Sequence, residues 1–251
     1  MKEYTYNYYH ANSIPTNHWW FRARNIIIAK LLNTFLINKK SINILDIGSG
    51  LGQLFPIWQK FGKVYGVEKN EFFVSELRKT YPDSIIWNSN FPDNKSKKFK
   101  YSLICMCDFL EHVQKPELVL KEIDERLEND GLLLVTVPAY SWLWSKKDND
   151  LGHFRRYSKK QLINEVQNFN LEVLFSSYFM FLLFPFAIVI RKLINPLIKN
   201  KESEKLDLEY GGMGLTNNIL YHIFKLEALL LKNKISLPYG LSVLGIFKKS
   251  K

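Results

Sequence analysis

The stretch Ile44-Leu45-Asp46-Ile47-Gly48-Ser49-Gly50-Leu51-Gly52 decides how this chain is read. An apolar run ends in a glycine-rich turn, and Glu68 closes the next apolar run sixteen positions after Gly52. Strand, turn, helix and a second strand tipped with an acid make up half of a nucleotide-binding unit. The glycines let the backbone approach a ligand, the N–H groups of a following helix suit a carboxylate or phosphate, and the acid suits a pair of ribose hydroxyls.

Working outward, the periodicity predicts strands at about 43–47, 64–67, 84–87, 101–105 and 132–137, and helices at about 53–61, 71–81 and 116–127. This alternation argues for a parallel, doubly wound α/β sheet. Upstream, residues 1–17 form an irregular, tyrosine-rich arm, and a helix runs to about Leu36 with Ile27, Ile28, Leu31, Leu32 and Phe35 apolar. Downstream, Ser158 caps a helix to about Phe169, and a strand follows at about 171–175. The uncharged remainder, Tyr178–Ile190, is too short to cross a bilayer. It is read as a buried helix or a cover over the substrate pocket, with an interfacial membrane helix as the alternative. A polar stretch at 199–212, a helix at about 217–231 and a final strand at about 241–247 complete the chain.

With 251 residues, 47% of them hydrophobic, there is enough apolar material for one α/β domain with decorations. The only cysteines, Cys105 and Cys107, are too close in one strand for an ordinary disulfide and too few for a metal site. The first ten residues lack the apolar core of a signal peptide, so the expected location is cytoplasmic, with peripheral attachment to the inner face of the membrane as an option. The net charge of +11 comes largely from lysines scattered through loops. No nucleic-acid-binding module accompanies it, so a basic surface attracted to acidic lipids is the simpler reading.

The pattern D-x-G-x-G-x-G over Asp46–Gly52 resembles the first motif of the class I S-adenosylmethionine-dependent methyltransferases. Two further segments resemble the same family: Tyr101 to Val113, which contains Leu110-Glu111-His112, and Leu127 to Pro138, with a turn at Asn129-Asp130-Gly131. The resemblance implies a Rossmann-like, mostly parallel seven-stranded sheet, with an antiparallel last strand inserted between strands five and six. It also implies a helical N-terminal arm at 1–40 serving as a cap, and a methyltransferase domain at 41–251 with an inserted helical cap at 178–235. The cofactor implied is S-adenosylmethionine, used in direct in-line transfer without a metal. Gly48, Ser49, Gly50, Gly52 and Gln53 would carry the turn under its amino-acid end, and Asp46 would hold the loop or meet the ammonium group. Glu68 would accept the ribose hydroxyls and Lys69 would line the adenine edge. Asn88 or Ser89 would stand where relatives place an acid near the adenine amino group. Cys107, Asp108 and Phe109 would line the methionine side. A dinucleotide oxidoreductase is the rival, disfavoured because Gln53 occupies the third glycine position of its fingerprint.

For catalysis, His112 at the pocket rim is the candidate base, with a structural histidine as the alternative, and His153 is a second candidate. Trp19, Trp20, Arg24, Tyr140, Trp144, His153, Arg155, Arg156 and Tyr157 lie in segments resembling a subgroup associated with cell-surface glycan and lipid biosynthesis. They are the candidate acceptor contacts, aromatics for stacking and arginines for an anion. The alternative is a self-packed lid with the arginines paired to Asp148 or Asp150. The expected partner is a small-molecule, glycan or lipid-linked acceptor, and an acidic membrane surface is a further option. A quinone-like or polar metabolite, or a non-catalytic partner-subunit role, are the other readings.

Overall fold

The computed structural model describes residues 18–36, 41–194 and 215–250. The expected arm at 1–17 and the polar stretch at 199–212 lie outside these residues. The sheet has seven strands: β1 (Ile42–Ile47), β2 (Gly62–Glu68), β3 (Ile85–Asn88), β4 (Tyr101–Cys107), β5 (Leu127–Pro138), β6 (Leu171–Phe179) and β7 (Ser242–Lys249). Their spatial order is β3-β2-β1-β4-β5-β7-β6. β7 pairs antiparallel with β5 on one side and β6 on the other, while the pairings among β1 to β5 are parallel. The last strand thus sits where the resemblance put it.

Helices cover both faces. α1 (Trp19–Phe35), α2 (Phe55–Trp58), α3 (Glu71–Thr80), α4 (Pro116–Arg126), α5 (Lys146–Leu151), α6 (Lys159–Gln167), α7 (Phe184–Ile188) and α8 (Leu215–Lys232) follow in chain order. One core joins α1, α3 and α8 to Ile44, Leu103, Leu134 and Ile246 of the sheet. The other joins α4 and α6 to Leu45, Ile104, Val135 and Phe247. Adjacent strand residues alternate between these two cores, because successive side chains leave a strand on opposite faces.

Three local expectations are corrected. The helix predicted at 53–61 shrinks to the single turn α2, since Pro56 stands in its first turn and the chain re-enters the sheet at Gly62. A helix this short brings little dipole to a ligand. The turn at Asn129–Gly131 lies inside β5 as a bulge: Leu127 pairs with Tyr101 and Leu132 with Leu103, and Asp130 adopts φ 61°. Tyr178–Ile190 is not one continuous helix. Tyr178 and Phe179 end β6, α7 follows, and Leu183 and Ala187 pack into the α1–α8 core. Among the described residues, no helix is long and apolar enough to cross a membrane.

Candidate active site

A cleft of about 880 Å³ opens beyond the carboxyl ends of β1, β2 and β4, the place where open α/β sheets bind ligands. Its floor is the glycine turn. Gly48, Gly50 and Gly52 all have positive φ, at 74°, 54° and 71°. Their surroundings differ. A Cβ on Gly48 would lie 2.6 Å from Phe109 Cδ2, and one on Gly52 would lie 2.5 Å from Leu77 Cδ2. A Cβ on Gly50 would meet nothing within 4 Å. Gly50 therefore faces the space a ligand would take, while Gly48 and Gly52 are pressed against protein.

Glu68 ends β2 beside this turn. Its carboxylate accepts the Gly50 N–H at 3.0 Å and the Asn70 N–H at 2.8 Å. Asn70 in turn caps α3, accepting from the N–H groups of Phe72 and Phe73. The Asn88 side chain donates to the carbonyls of Glu68 and Lys69, so this amide fixes the far wall. Lys69, Ser89, Cys107 and Phe109 line the same cleft. Asp46 lies in its floor, and burial pushes the carboxyl up to about 7.

The amino end of α1 comes down onto this wall. Arg24 is buried; its guanidinium is ion-paired with Asp108 and donates to Gln53 Oε1 at 3.3 Å. The Asn25 amide donates to the Gln53 carbonyl at 2.9 Å. Asp108, at φ 55°, also accepts from the Thr136 hydroxyl. The helix before the sheet is thereby tied to the turn after β1 and to the loop after β4.

Beyond Asp108, the 3₁₀ turn Leu110–His112 carries Glu111 and His112 to the opposite side of the cleft. Glu111 is 1% exposed, and its Oε2 has no hydrogen-bond partner. Burial, with the charge of Asp108 next, pushes this carboxyl well above the carboxylate range. Burial, then His153 and Lys69, push the His112 imidazole down to about 3. It is uncharged at neutral pH and a feeble proton acceptor. The His153 ring packs edge-on against it at 4.6 Å between centroids.

His153 Nδ1 lies 2.9 Å from the Asp148 carboxylate, which also takes two bonds from Arg156, Nε at 2.7 Å and a terminal nitrogen at 2.9 Å. Burial opposes the charge, yet the bonds from His153 and Arg156 hold the Asp148 carboxyl well below its ordinary range. Ser145 and Asp148 form a reciprocal capping box at the start of α5, which positions the acid. That Ser-x-x-Asp spacing is the signal in the sequence that could have marked Asp148 as the hub of this side.

The expected acceptor contacts divide. Trp20, Arg24, His153 and Arg156 line the cleft; Trp19, Tyr140, Trp144, Arg155 and Tyr157 do not. Trp19 is buried and stacked on Phe224 of α8, and Tyr140 is stacked on Tyr178. The Trp144 indole donates to Asn149 outside the cleft. Arg155 donates to the Gln114 carbonyl, and Tyr157 is buried in the second core. Arg156 is committed to Asp148, so the self-packed reading describes this segment better than a free anion grip.

Residues 19–175 match the family model described as a methyltransferase domain. No curated protein sequence matches the chain. Among solved structures, a chain from the complex of the Haloferax volcanii Trm112 methyltransferase activator with a methyltransferase superposes with a TM-score of 0.64 at 13% identity, covering 100% of this chain and 99% of that one. The plantazolicin methyltransferase BpumL, solved with a desmethylPZN analogue and SAH, gives 0.61 at 12% identity, covering 99% and 90%. A TehB-like SAM-dependent methyltransferase from Corynebacterium glutamicum gives 0.53 at 12% identity, covering 92% and 88%. Such distant likenesses establish architecture. Taken with the family match over more than half its length and the glycine turn facing Glu68, the chain belongs to the methyltransferase domain family and has the class I S-adenosylmethionine-dependent methyltransferase fold.

Proposed function

We propose that this protein methylates an oxygen nucleophile on a small acceptor, using S-adenosylmethionine held between the glycine turn and Glu68. The carrying observation is the pairing of an open, positive-φ Gly50 with a carboxylate at the end of β2. The residues fit the cofactor. Gly50 leaves room for close approach, Glu68 is an acceptor for two hydroxyls, and Asp46 is a buried acid beside the turn, suited to an ammonium group. Cys107 and Phe109 offer softer surface toward the methionine side. When bound, S-adenosylmethionine supplies an electrophilic methyl group on a sulfonium. The chain's part is to fix geometry, exclude water and place an acceptor before Glu111, His112 and His153; such alignment can supply roughly 7–11 kcal/mol. The amino end of α1, with Trp20 and Arg24, serves as part of the cap, and α8 packs against α1.

Calorimetric titration of S-adenosylmethionine and its demethylated product into wild type and Glu68→Ala tests this reading. Micromolar binding, weakened at least roughly tenfold in the variant by loss of the charged hydrogen bonds to the two hydroxyls, supports it. Absence of binding to the wild type removes it. A labelled-methyl screen over glycans, lipids and metabolites then identifies the acceptor.

A second reading places the acceptor at an acidic membrane surface. α8 exposes Ile219, Leu226, Leu229 and Leu230, beside Lys225 and Lys232. Burial, then the charges of Lys225 and Lys232, hold the Lys30 ammonium of α1 below its ordinary value, so three lysines gather next to this apolar stripe. Interfacial helices combine these features. Salt-sensitive co-flotation with phosphatidylglycerol vesicles, reduced in Leu226→Glu, is the expected result; equal recovery with and without vesicles removes the reading.

A further inference from the structure

Glu111, His112 and His153 each present a ligand atom, and these atoms lie within 4.8 Å of one another. Bonds of about 2.0–2.2 Å to a common centre put ligand atoms up to about 4.4 Å apart, so a small side-chain adjustment would close the set. Each member is prepared. His153 Nδ1 faces the buried Asp148 carboxylate, which fixes the tautomer and leaves Nε2 as a lone-pair donor. A carboxylate behind an imidazole is the usual support of a metal-bound histidine. His112 stands edge-on to His153, with ring centroids 4.6 Å apart. Glu111 is the odd member of the local charge pattern. Asp108 is paired with Arg24 and Asp148 with Arg156, whereas Glu111 has no ion-pair partner among the described residues, and its Oε2 is buried without a hydrogen bond. A buried carboxyl oxygen without a hydrogen bond calls for a proton or a cation.

We propose that Glu111, His112 and His153 bind a divalent transition-metal cation of the zinc, manganese or iron(II) class at the acceptor end of the cleft. Two imidazoles and one carboxylate suit these borderline metals better than calcium or magnesium, which prefer oxygen. Three protein ligands leave coordination positions open toward the cleft, where an acceptor hydroxyl or carboxylate would bind. A cation there lowers the pKa of a bound hydroxyl. The inference departs from the metal-free expectation of the sequence. It rests on the methyltransferase reading for the cation's role and not for its binding.

The test is metal uptake by the full chain after chelator treatment and buffer exchange. Titration with Co²⁺ is followed by visible absorption and titration with Zn²⁺ by calorimetry, in wild type, Glu111→Gln, His153→Gln and His222→Ala. His222 is exposed on α8 and controls for adventitious histidine binding. One ion per chain is expected, with cobalt absorption and an increase in Tm on zinc addition. Affinity should fall at least roughly tenfold in the Glu111 and His153 variants and stay unchanged in His222→Ala. Using both site variants keeps the test decisive if one fails to fold. No stoichiometric uptake by wild type, or uptake indifferent to both site substitutions, overturns the proposal. S-adenosylmethionine is titrated into the same metal-stripped sample. Cofactor binding without metal binding removes only the metal site, and metal binding without cofactor binding removes only the cofactor reading.

Discussion

Arg24, in the helix that precedes the sheet, and Asp108, in the loop after β4, form an ion pair at the cleft wall. The arginine side chain is 8% exposed and the aspartate 24%. Removing the arginine leaves an acid in a poorly solvated place, a change that costs about 3–5 kcal/mol when both partners are buried and less as exposure grows. Arg24→Met should destabilise the protein by about 2–4 kcal/mol, while Arg24→Met combined with Asp108→Asn should recover part of that loss. Denaturant melts of the two single variants and the double variant measure the coupling; strictly additive losses would show that the pair is not an energetic unit.

Gly50 and Gly52 should respond differently to the same substitution. Placing alanine at a left-handed position costs roughly 1–2 kcal/mol. Gly52→Ala adds collisions with Leu77 and Tyr81, so its Tm should fall further. Gly50→Ala carries only the backbone strain, but its methyl group occupies ligand space, so its loss should appear mainly as weaker S-adenosylmethionine binding. Melting and calorimetry on both variants separate the two effects.

Asp46 provides a pH handle on cofactor affinity. Its carboxyl is raised to about 7, first by burial. In the free protein its contribution to stability is fully present below the unfolded value of 3.8 and is lost as pH rises through about 7. Ligand affinity runs the other way, because only the ionised acid attracts an ammonium group. S-adenosylmethionine should bind more weakly at pH 6 than at pH 8, and Asp46→Asn should show a flatter dependence with weaker binding at the higher pH.

Glu227 gives a pH dependence of stability remote from the cleft. This buried residue of α8 accepts the N–H groups of Met180 at 2.6 Å and Phe181 at 3.0 Å, yet burial still raises its carboxyl to about 7. Its contribution is full below 4.5 and is lost as pH rises through about 7, a change on the order of 3 kcal/mol. Glu227→Gln should lower Tm in mild acid, where one acceptor bond is lost, and flatten the decline between pH 5 and 8. Parallel wild-type and variant profiles would count against this assignment.

What was legible in the sequence was what short-range chemistry dictates. The glycine turn, Glu68 and the strand–helix alternation are local patterns, and each of them positions the cleft. The place of β7 followed from family resemblance, since no local signal says which neighbours a strand will choose. The failures share a cause. Trp19 and Phe224, or Arg24 and Asp108, meet across long separations in the chain, and nothing near Trp19 says that its ring will be buried rather than offered to a ligand. The bulge at Asn129–Gly131 has the composition of a turn, and only pairing with β4 on both sides turns it into a strand irregularity. Arg156 carried the residue type of an anion grip; Asp148 had already taken that grip.

The placement of β7 between β5 and β6 sets an order of events during synthesis. As the chain emerges amino end first, β1 to β5 can assemble by parallel pairing, but β6 has no neighbour among them. It must wait for residues 242–249, and until then the hydrogen-bonding edge of β5 from Leu132 to Pro138 stands open. An open apolar edge invites pairing with other chains. The vulnerable interval of this protein's life is therefore the ribosomal transit of the segment between β6 and β7, and slow translation there would lengthen exposure of a half-built sheet.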